Sequence, residues 1–305
     1  MGKLNILLVS GTHGNEINPP WFVKNFFESK FHLEFNNINL ISITGNPEAI
    51  QFQQRYIDED LNRAFKQDQL EIEPNNYEQN RAQFLIKEYG LEGDNPCSIA
   101  IDLHTTTASM GSSLVVYGRR SADLALAGLL QNHLGLPIYL HENDSAEEGF
   151  LVQQWPCGLV IEIGPVAQNL FDKDIVDRFD FVIKKCLYLL DKLKTKELIF
   201  PDQVKIHIHQ YSIDYPRSNR SEIKALIHSK IINKNWMPIQ KGDPLFVDYL
   251  GREYSYEGES GLAPVFINEA AYEEKGIAMS LTKIEILNLP KHGVNSLNKI
   301  IGRDQ

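Results

Sequence analysis

Cysteine is scarce in this sequence, and the three present, Cys97, Cys157 and Cys186, share no C-x-x-C spacing. An odd, unpatterned set excludes a disulfide framework and suits a reducing compartment. Each is flanked by apolar or small residues, so buried, inert thiols are expected. Long apolar runs are missing too: no stretch approaches the ~20 residues of a membrane span. The N-terminal apolar run is strand-length and no small-residue cleavage site follows it, so no signal peptide is expected. Positive charge is in deficit. A net charge of −10 and a pI near 5.4 argue against nucleic acid or an anionic membrane as the main partner. No glycine-rich phosphate loop occurs, and Gly258-Glu259-Ser260-Gly261 lacks the spacing of a nucleophile elbow. What remains is a soluble, cytoplasmic protein.

With 305 residues and 43% hydrophobic content the chain can build a large core, and more than one domain. Its first two thirds alternate strands and helices. Bare apolar runs at Leu4 to Ser10, Ile38 to Thr44, Ser98 to His104, Ser113 to Tyr117 and Gly158 to Ile163 suit strands buried on both faces of a parallel or mixed sheet. Helices are expected after Asn18-Pro19-Pro20, over Tyr77 to Tyr89 and Ser121 to Leu134 with Gly90 and Gly135 as caps, and from Asp172 toward Thr195. After Lys196 the texture changes to strand-like segments: Val204 to Ile213, Glu222 to Ile227, Pro244 to Val247, Val265 to Asn268 and Ile277 to Ile286. We therefore expect an α/β domain over 1–199 and a smaller, mainly β domain over 200–305.

His13-Gly14-Asn15-Glu16, directly after the first apolar run, carries the most chemical information. A His and a Glu three apart at a strand-to-helix turn can aim the same way, and imidazole with carboxylate suits Zn²⁺. Ser98 to His104 is another apolar strand ending in a histidine. Two strand ends delivering His13, Glu16 and His104 would supply three ligands of a catalytic zinc, with the fourth position open. The plainer alternative is that each is a hydrogen-bonded structural residue, since a lone H-x-x-E is a weak pattern. Glu162 lies inside the apolar strand Gly158 to Ile163, where burial would raise its pKa toward that of a general base. A salt-bridged core glutamate would look the same in sequence. Arg55, Asn62 and Arg63 lie on a loop-like stretch and can clamp a carboxylate, or form a surface cluster with Asp58, Glu59 and Asp60. His207 and His209 share a strand face and read as a packed or solvated pair. His141 and His228 offer no evident partners.

At this point the chain resembles a known family. His13-Gly14-Asn15-Glu16, Asp60-Leu61-Asn62-Arg63, Asp102-Leu103-His104-Thr105-Thr106, Ile161-Glu162-Ile163-Gly164-Pro165 and Asn268-Glu269-Ala270-Ala271-Tyr272 occur in the order seen in aspartoacylases, over nearly the whole chain. The resemblance implies a zinc carboxypeptidase-like mixed sheet flanked by helices, with a small β domain capping the substrate channel. It implies one Zn²⁺ held by His13, Glu16 and His104, and Glu162 moving a proton from water to the leaving amine. Arg55 would stabilise the oxyanion, while Asn62, Arg63 and Tyr272 would bind the α-carboxylate. Asp102 would anchor His104, and Glu269 would partner an arginine. The implied reaction is deacylation of N-acyl acidic amino acids, N-acetyl-L-aspartate above all, and a homo-oligomer is compatible with it. A zinc carboxypeptidase acting on peptides is the nearest rival, disfavoured because the β domain would exclude polypeptides. A non-catalytic metal-binding module would need neither Glu162 nor Arg55.

One departure stands out. Mammalian family members carry an arginine shortly before the Ile161-Glu162-Ile163-Gly164-Pro165 equivalent, which holds the second carboxylate of aspartate. Here Leu140 to Ile163 contains no Lys or Arg. Arg119, Arg120 and Arg217 are the substitutes to examine.

Overall fold

The computed structural model describes residues 2–142, 148–195, 198–289 and 291–302. Lys196, where the sequence texture changes, and the last three residues lie outside them. The strands are β1 (Leu4–Ser10), β2 (Ile38–Thr44), β3 (Ile99–Thr105), β4 (Ser112–Tyr117), β5 (Ile138–His141), β6 (Cys157–Ile163), β7 (Gln203–Ile213), β8 (Ala225–Ile227), β9 (Pro244–Asp248), β10 (Glu253–Ser255), β11 (Ala263–Val265) and β12 (Met279–Asn288). Nine form one sheet in the order β11-β12-β7-β5-β4-β6-β3-β1-β2, and β10-β9-β8 form a second. The large sheet is mixed: β2, β1, β3 and β6 run parallel, β4 runs antiparallel to β6, and β12 antiparallel to β7.

The helices are α1 (Asn18–Glu28), α2 (Pro47–Phe52), α3 (Gln67–Leu70), α4 (Tyr77–Tyr89), α5 (Ser121–Leu134), α6 (Lys173–Thr195) and α7 (Lys291–Ile300). Prolines in the first turns of α1 and α2 preset φ where no hydrogen bond is lost. Asn46 and Asn76 cap α2 and α4 by accepting from Ala49 and Gln79 N–H. Gly135 ends α5 in the left-handed conformation, as a glycine cap should, but Gly90 leaves α4 extended. The two sheet faces bury different cores. Ile99, Ile101 and Leu103 pack with Phe22 and Phe26 of α1, Leu126 of α5 and Phe179 of α6. Ala100 and Val160, on the other face, pack with Leu85 of α4 and with Phe65, Val152 and Trp155. Because strand side chains alternate, Asp102, His104 and Glu162 share the second face.

Three differences from the sequence reading have local causes. The strand expected over Val265 to Asn268 ends at Val265, because Phe266 and Asn268 take positive φ and turn the chain toward a short 3₁₀ turn. The strand expected from Glu222 starts at Ala225, with Ile223 held only by an isolated bridge to Arg217. Strand β5 went unread, being only four residues long. The segment after Phe200 is β-rich as expected, yet β7 pairs with β5 and carries β12 and β11 into the main sheet.

Gly14 allows the turn after β1 to pass against α2. A Cβ there would lie 2.0 Å from the Ala49 carbonyl carbon and 2.2 Å from its oxygen. Gly14→Ala should therefore destabilise the fold by about 1–3 kcal/mol or more, as overpacking against backbone does. A urea midpoint equal to the parent's would contradict this.

Candidate functional site

Parallel strands β1, β3 and β6 lie side by side, so their carboxyl ends open on one edge of the sheet, where α/β folds bind ligands. His13 and Glu16 sit just beyond β1. His104 and Glu162 are the next-to-last residues of β3 and β6, and they face each other in register. All four are buried. Ligand atoms of His13, Glu16 and His104 lie within 4.8 Å of one another.

The hydrogen bonds decide which atoms face inward. His13 Nε2 is 3.0 Å from Asp60 Oδ1, and His104 Nε2 is 2.8 Å from Asp102 Oδ2. With those nitrogens anchored, the Nδ1 atoms turn to the carboxylate between them: His13 Nδ1 is 2.6 Å from Glu16 Oε1, and His104 Nδ1 is 3.3 Å from Glu16 Oε2. Two imidazoles each backed by a carboxylate, converging on a third carboxylate, form a donor set that suits a divalent metal. Thr12 Oγ1 donates to Asp102 at 2.8 Å, and Thr105 N–H to Glu16 at 2.7 Å, which holds both acids in place.

Burial and charge pull these groups apart in acidity. Burial works against ionised Glu16, yet the His104 and His13 imidazoles hold its carboxyl well below the ordinary range. Burial opposes charge on His104 as well, but Asp102 and Glu16 raise its pKa well above that of a free imidazole. Glu162 goes the other way: burial lifts its carboxyl well above the usual range, against the pull of His104 and with a push from Glu16 and Glu269. A carboxyl so raised beside one kept ionised is the pairing that acid–base chemistry uses.

Arg55 enters from the loop after α2, its Nη2 donating to Asp60 Oδ2 at 3.0 Å and its Nη1 lying 3.7 Å from Glu16 Oε1. The 3₁₀ turn Leu61–Arg63 brings Asn62 and Arg63 to the same pocket. Asn62 Oδ1 accepts from Leu151 N–H at 3.0 Å, and its Nδ2 is 3.4 Å from His104 Nε2. The Arg63 guanidinium lies over the Phe150 ring, 4.6 Å from its centroid. Tyr272 comes from the 3₁₀ turn Ala270–Lys275 and completes the wall. His13, Glu16, Arg55, Asn62, Arg63, His104, Glu162 and Tyr272 thus line one pocket.

One expectation fails. Among the described residues no arginine pairs with Glu269; its Oε2 accepts from Thr106 and Thr107 hydroxyls and from Thr107 N–H at 2.8 Å, and Oε1 accepts from Ala271 N–H at 3.1 Å. The hydroxyls of Thr106 and Thr107 reach it first because β3 ends directly beneath it. The candidate substitutes Arg119, Arg120 and Arg217 lie off the pocket: they donate to Glu142, to Asp123 and to Asp214 respectively. Sequence reasoning also missed partners. Asp60 is a buried anchor shared by His13 and Arg55, not part of a solvated cluster. Tyr117 stacks on Phe150 with centroids 3.6 Å apart, a contact that no spacing signals. His209 and His141 pack together at 5.0 Å behind Glu162, and His228 lies 3.2 Å from Glu253. All three thiols are free and buried, as expected.

A mixed α/β sheet carrying a buried His-Glu-His group, a raised carboxyl and an arginine has the make-up of a metal-dependent hydrolase. Residues 3–190 match the succinylglutamate desuccinylase/aspartoacylase catalytic domain, and residues 202–284 match the AstE/AspA barrel-sandwich hybrid domain. The chain belongs to the succinylglutamate desuccinylase/aspartoacylase family. A protein of Prochlorococcus marinus (strain MIT 9301) called "Probable aspartoacylase" is 54% identical over 291 residues, covering 95% of this chain and 96% of that protein. One of the same name from Prochlorococcus marinus (strain NATL2A) is 47% identical over 302 residues, with 99% of each covered. Among solved structures, murine aminoacylase 3 superposes with a TM-score of 0.87 at 27% identity, covering 95% of this chain and 98% of that one. A succinylglutamate desuccinylase of Vibrio parahaemolyticus shares the fold, with a TM-score of 0.61 at 16% identity, 94% of this chain and 86% of that one. No helix among the described residues is long and apolar enough to cross a membrane.

A neighbouring pocket, sharing Asp60 and Arg63 with the site, is lined also by Lys66 and Lys275 alongside Asp58, Glu59 and Glu274. Burial pushes the Lys275 ammonium down to about 8, and the nearby Arg63 adds to this. Lys275 is therefore cationic below that pH and neutral above it. For an anionic N-acyl amino acid, KM should rise about two- to fivefold as pH passes upward through about 8, the effect of one partly exposed charge. In Lys275→Gln that rise should vanish. An unchanged alkaline profile in the variant would rule Lys275 out as its source.

Proposed function

We propose that this chain is a zinc-dependent deacylase that hydrolyses N-acyl acidic amino acids, N-acetyl-L-aspartate and water giving L-aspartate and acetate. The observation that carries the reading is the raised carboxyl of Glu162 beside the converging His13, Glu16 and His104 in one pocket. The donor set fits zinc, because both histidines present Nδ1 inward and are anchored at Nε2. Zinc held there would supply Lewis acidity and a lowered pKa for water.

The chain's own groups do the rest. Glu162 takes a proton from the attacking water and delivers it to the nitrogen of the departing amine. Arg55 is aimed at the carbonyl oxygen. Its Nε is buried with no hydrogen-bond partner among the described residues, which supports a role toward an oxygen that substrate brings. Asn62, Arg63 and the Tyr272 hydroxyl hold the α-carboxylate. The segment after Phe200 acts as the capping domain in this reading, since Phe266 and Tyr272 narrow the pocket.

A second reading, deacylation of neutral N-acyl amino acids, has its own support. Arg119, Arg120 and Arg217 are engaged elsewhere, and Phe150 stands in the pocket within the stretch that carries no Lys or Arg.

Glu162→Gln should keep zinc but lose at least ~10²-fold in kcat. Near-parental turnover in that variant would make Glu162 a structural core residue. A rate panel separates the two substrate readings. If no other cation replaces the missing arginine, N-acetylaspartate should lose about ten- to a hundredfold in the preference over neutral N-acetyl amino acids that a bidentate contact would give. Strict preference for N-acetylaspartate would show that another group binds its second carboxylate.

A further inference from the structure

Glu78 is a carboxylate that the reaction does not use, yet it is completely buried in the first turn of α4. It has four donors. Oε1 accepts from Ile57 N–H at 2.7 Å and Asn46 Nδ2 at 2.9 Å. Oε2 accepts from Asp58 N–H at 3.0 Å and Glu59 N–H at 3.2 Å. Three successive backbone N–H groups thus point at one side chain, and the helix N-terminus adds its own partial positive charge. A buried carboxylate so satisfied is costly to alter, because any donor left unmet loses its hydration as well.

The segment it grips is the one that arms the site. Arg55 precedes Ile57 to Glu59 and Asp60 follows them, and Asp60 holds both Arg55 Nη2 and His13 Nε2. The Arg55 carbonyl accepts from Gly14 N–H at 3.2 Å, which ties the segment to the His13 turn. Asn46 connects the same carboxylate to the end of β1 through its own N–H on the Gly11 carbonyl, 2.9 Å away. Asn76 and Gln79 of α4 add bonds to Glu59 at 2.7 and 3.0 Å.

We propose that Glu78 is a positioning residue for the deacylation: it fixes the 55–60 segment so that Arg55 is aimed, and it sets kcat through Arg55. This rests on the role given to Arg55 above. Glu78→Gln replaces one acceptor oxygen with an NH₂ that faces backbone N–H, so the segment must shift. A displacement of ~1 Å at a group aimed at the reacting atoms costs about 10²-fold.

Glu78→Gln in the zinc-loaded full chain should lose about 10²-fold in kcat, with zinc content and KM within about twofold of the parent. In an Arg55→Ala background the same change should cost no more than about twofold, because the two residues act as one unit. Glu78→Asp, which keeps both oxygens, should restore part of the loss, and it replaces the Gln variant in every arm if that one does not fold. Hydrogen exchange of the Ile57, Asp58 and Glu59 amides should quicken about tenfold or more in Glu78→Gln, with β3 and β6 unchanged. Full multiplication of the two losses, a kcat loss matched by zinc loss, or unchanged exchange at Ile57 to Glu59 overturns the proposal. Parental kcat in Arg55→Ala alone would instead strike the role given to Arg55, and exchange would then judge Glu78 by itself.

Discussion

Buried charges of opposite sign, packed together at the ends of three parallel strands, govern the rest of this structure. His13, Glu16, His104, Asp60, Asp102 and Glu162 are all nearly closed to solvent. Ions can be buried only where each finds a partner, and removing one partner of such a pair costs about 3–5 kcal/mol. That requirement explains the backing carboxylates. Asp60 and Asp102 are what leave Nδ1 of each histidine turned inward. It also explains why the surrounding loops are tightly bonded: Thr12 holds Asp102 and Thr105 holds Glu16 in place.

Much of this could be read from residue order. A strand buried on both faces shows as an unbroken apolar run, so β1, β3, β4 and β6 were visible within a residue or two, as was the edge strand β2. Polar residues at the ends of such runs then stand out, and the convergence of His13, His104 and Glu162 follows from parallel pairing alone. Contacts set by tertiary approach could not be read. Glu269 shows only that it needs donors, and nothing in sequence says whether these are arginines or the end of β3. Asp60 among Asp58 and Glu59 looks like a solvated cluster until the fold buries it. Four residues of β5 carry too little periodicity to be distinguished from a loop.

The pocket is a local reversal within a local excess. The chain is acidic overall, and the centre itself concentrates carboxylates, but Arg55 and Arg63 reach it from one short segment. These two guanidiniums offer an anion positive charge inside the pocket. Burial raises the Glu162 carboxyl, which makes it a readier proton acceptor than Glu16, whose carboxyl the two imidazoles hold low.

Strand β5 lies between β4 and β7, and its two neighbours are separated by residues 118–202, the middle of the chain. During synthesis the earlier strands emerge well before Gln203 to Asn288 are available. Until β7 docks, the apolar strand Ile138–His141 is an open sheet edge, the kind of surface on which other chains add. The nascent protein therefore passes through an interval in which its largest sheet is unfinished beside the future pocket. Closing that edge falls to the last third of the chain, through β7.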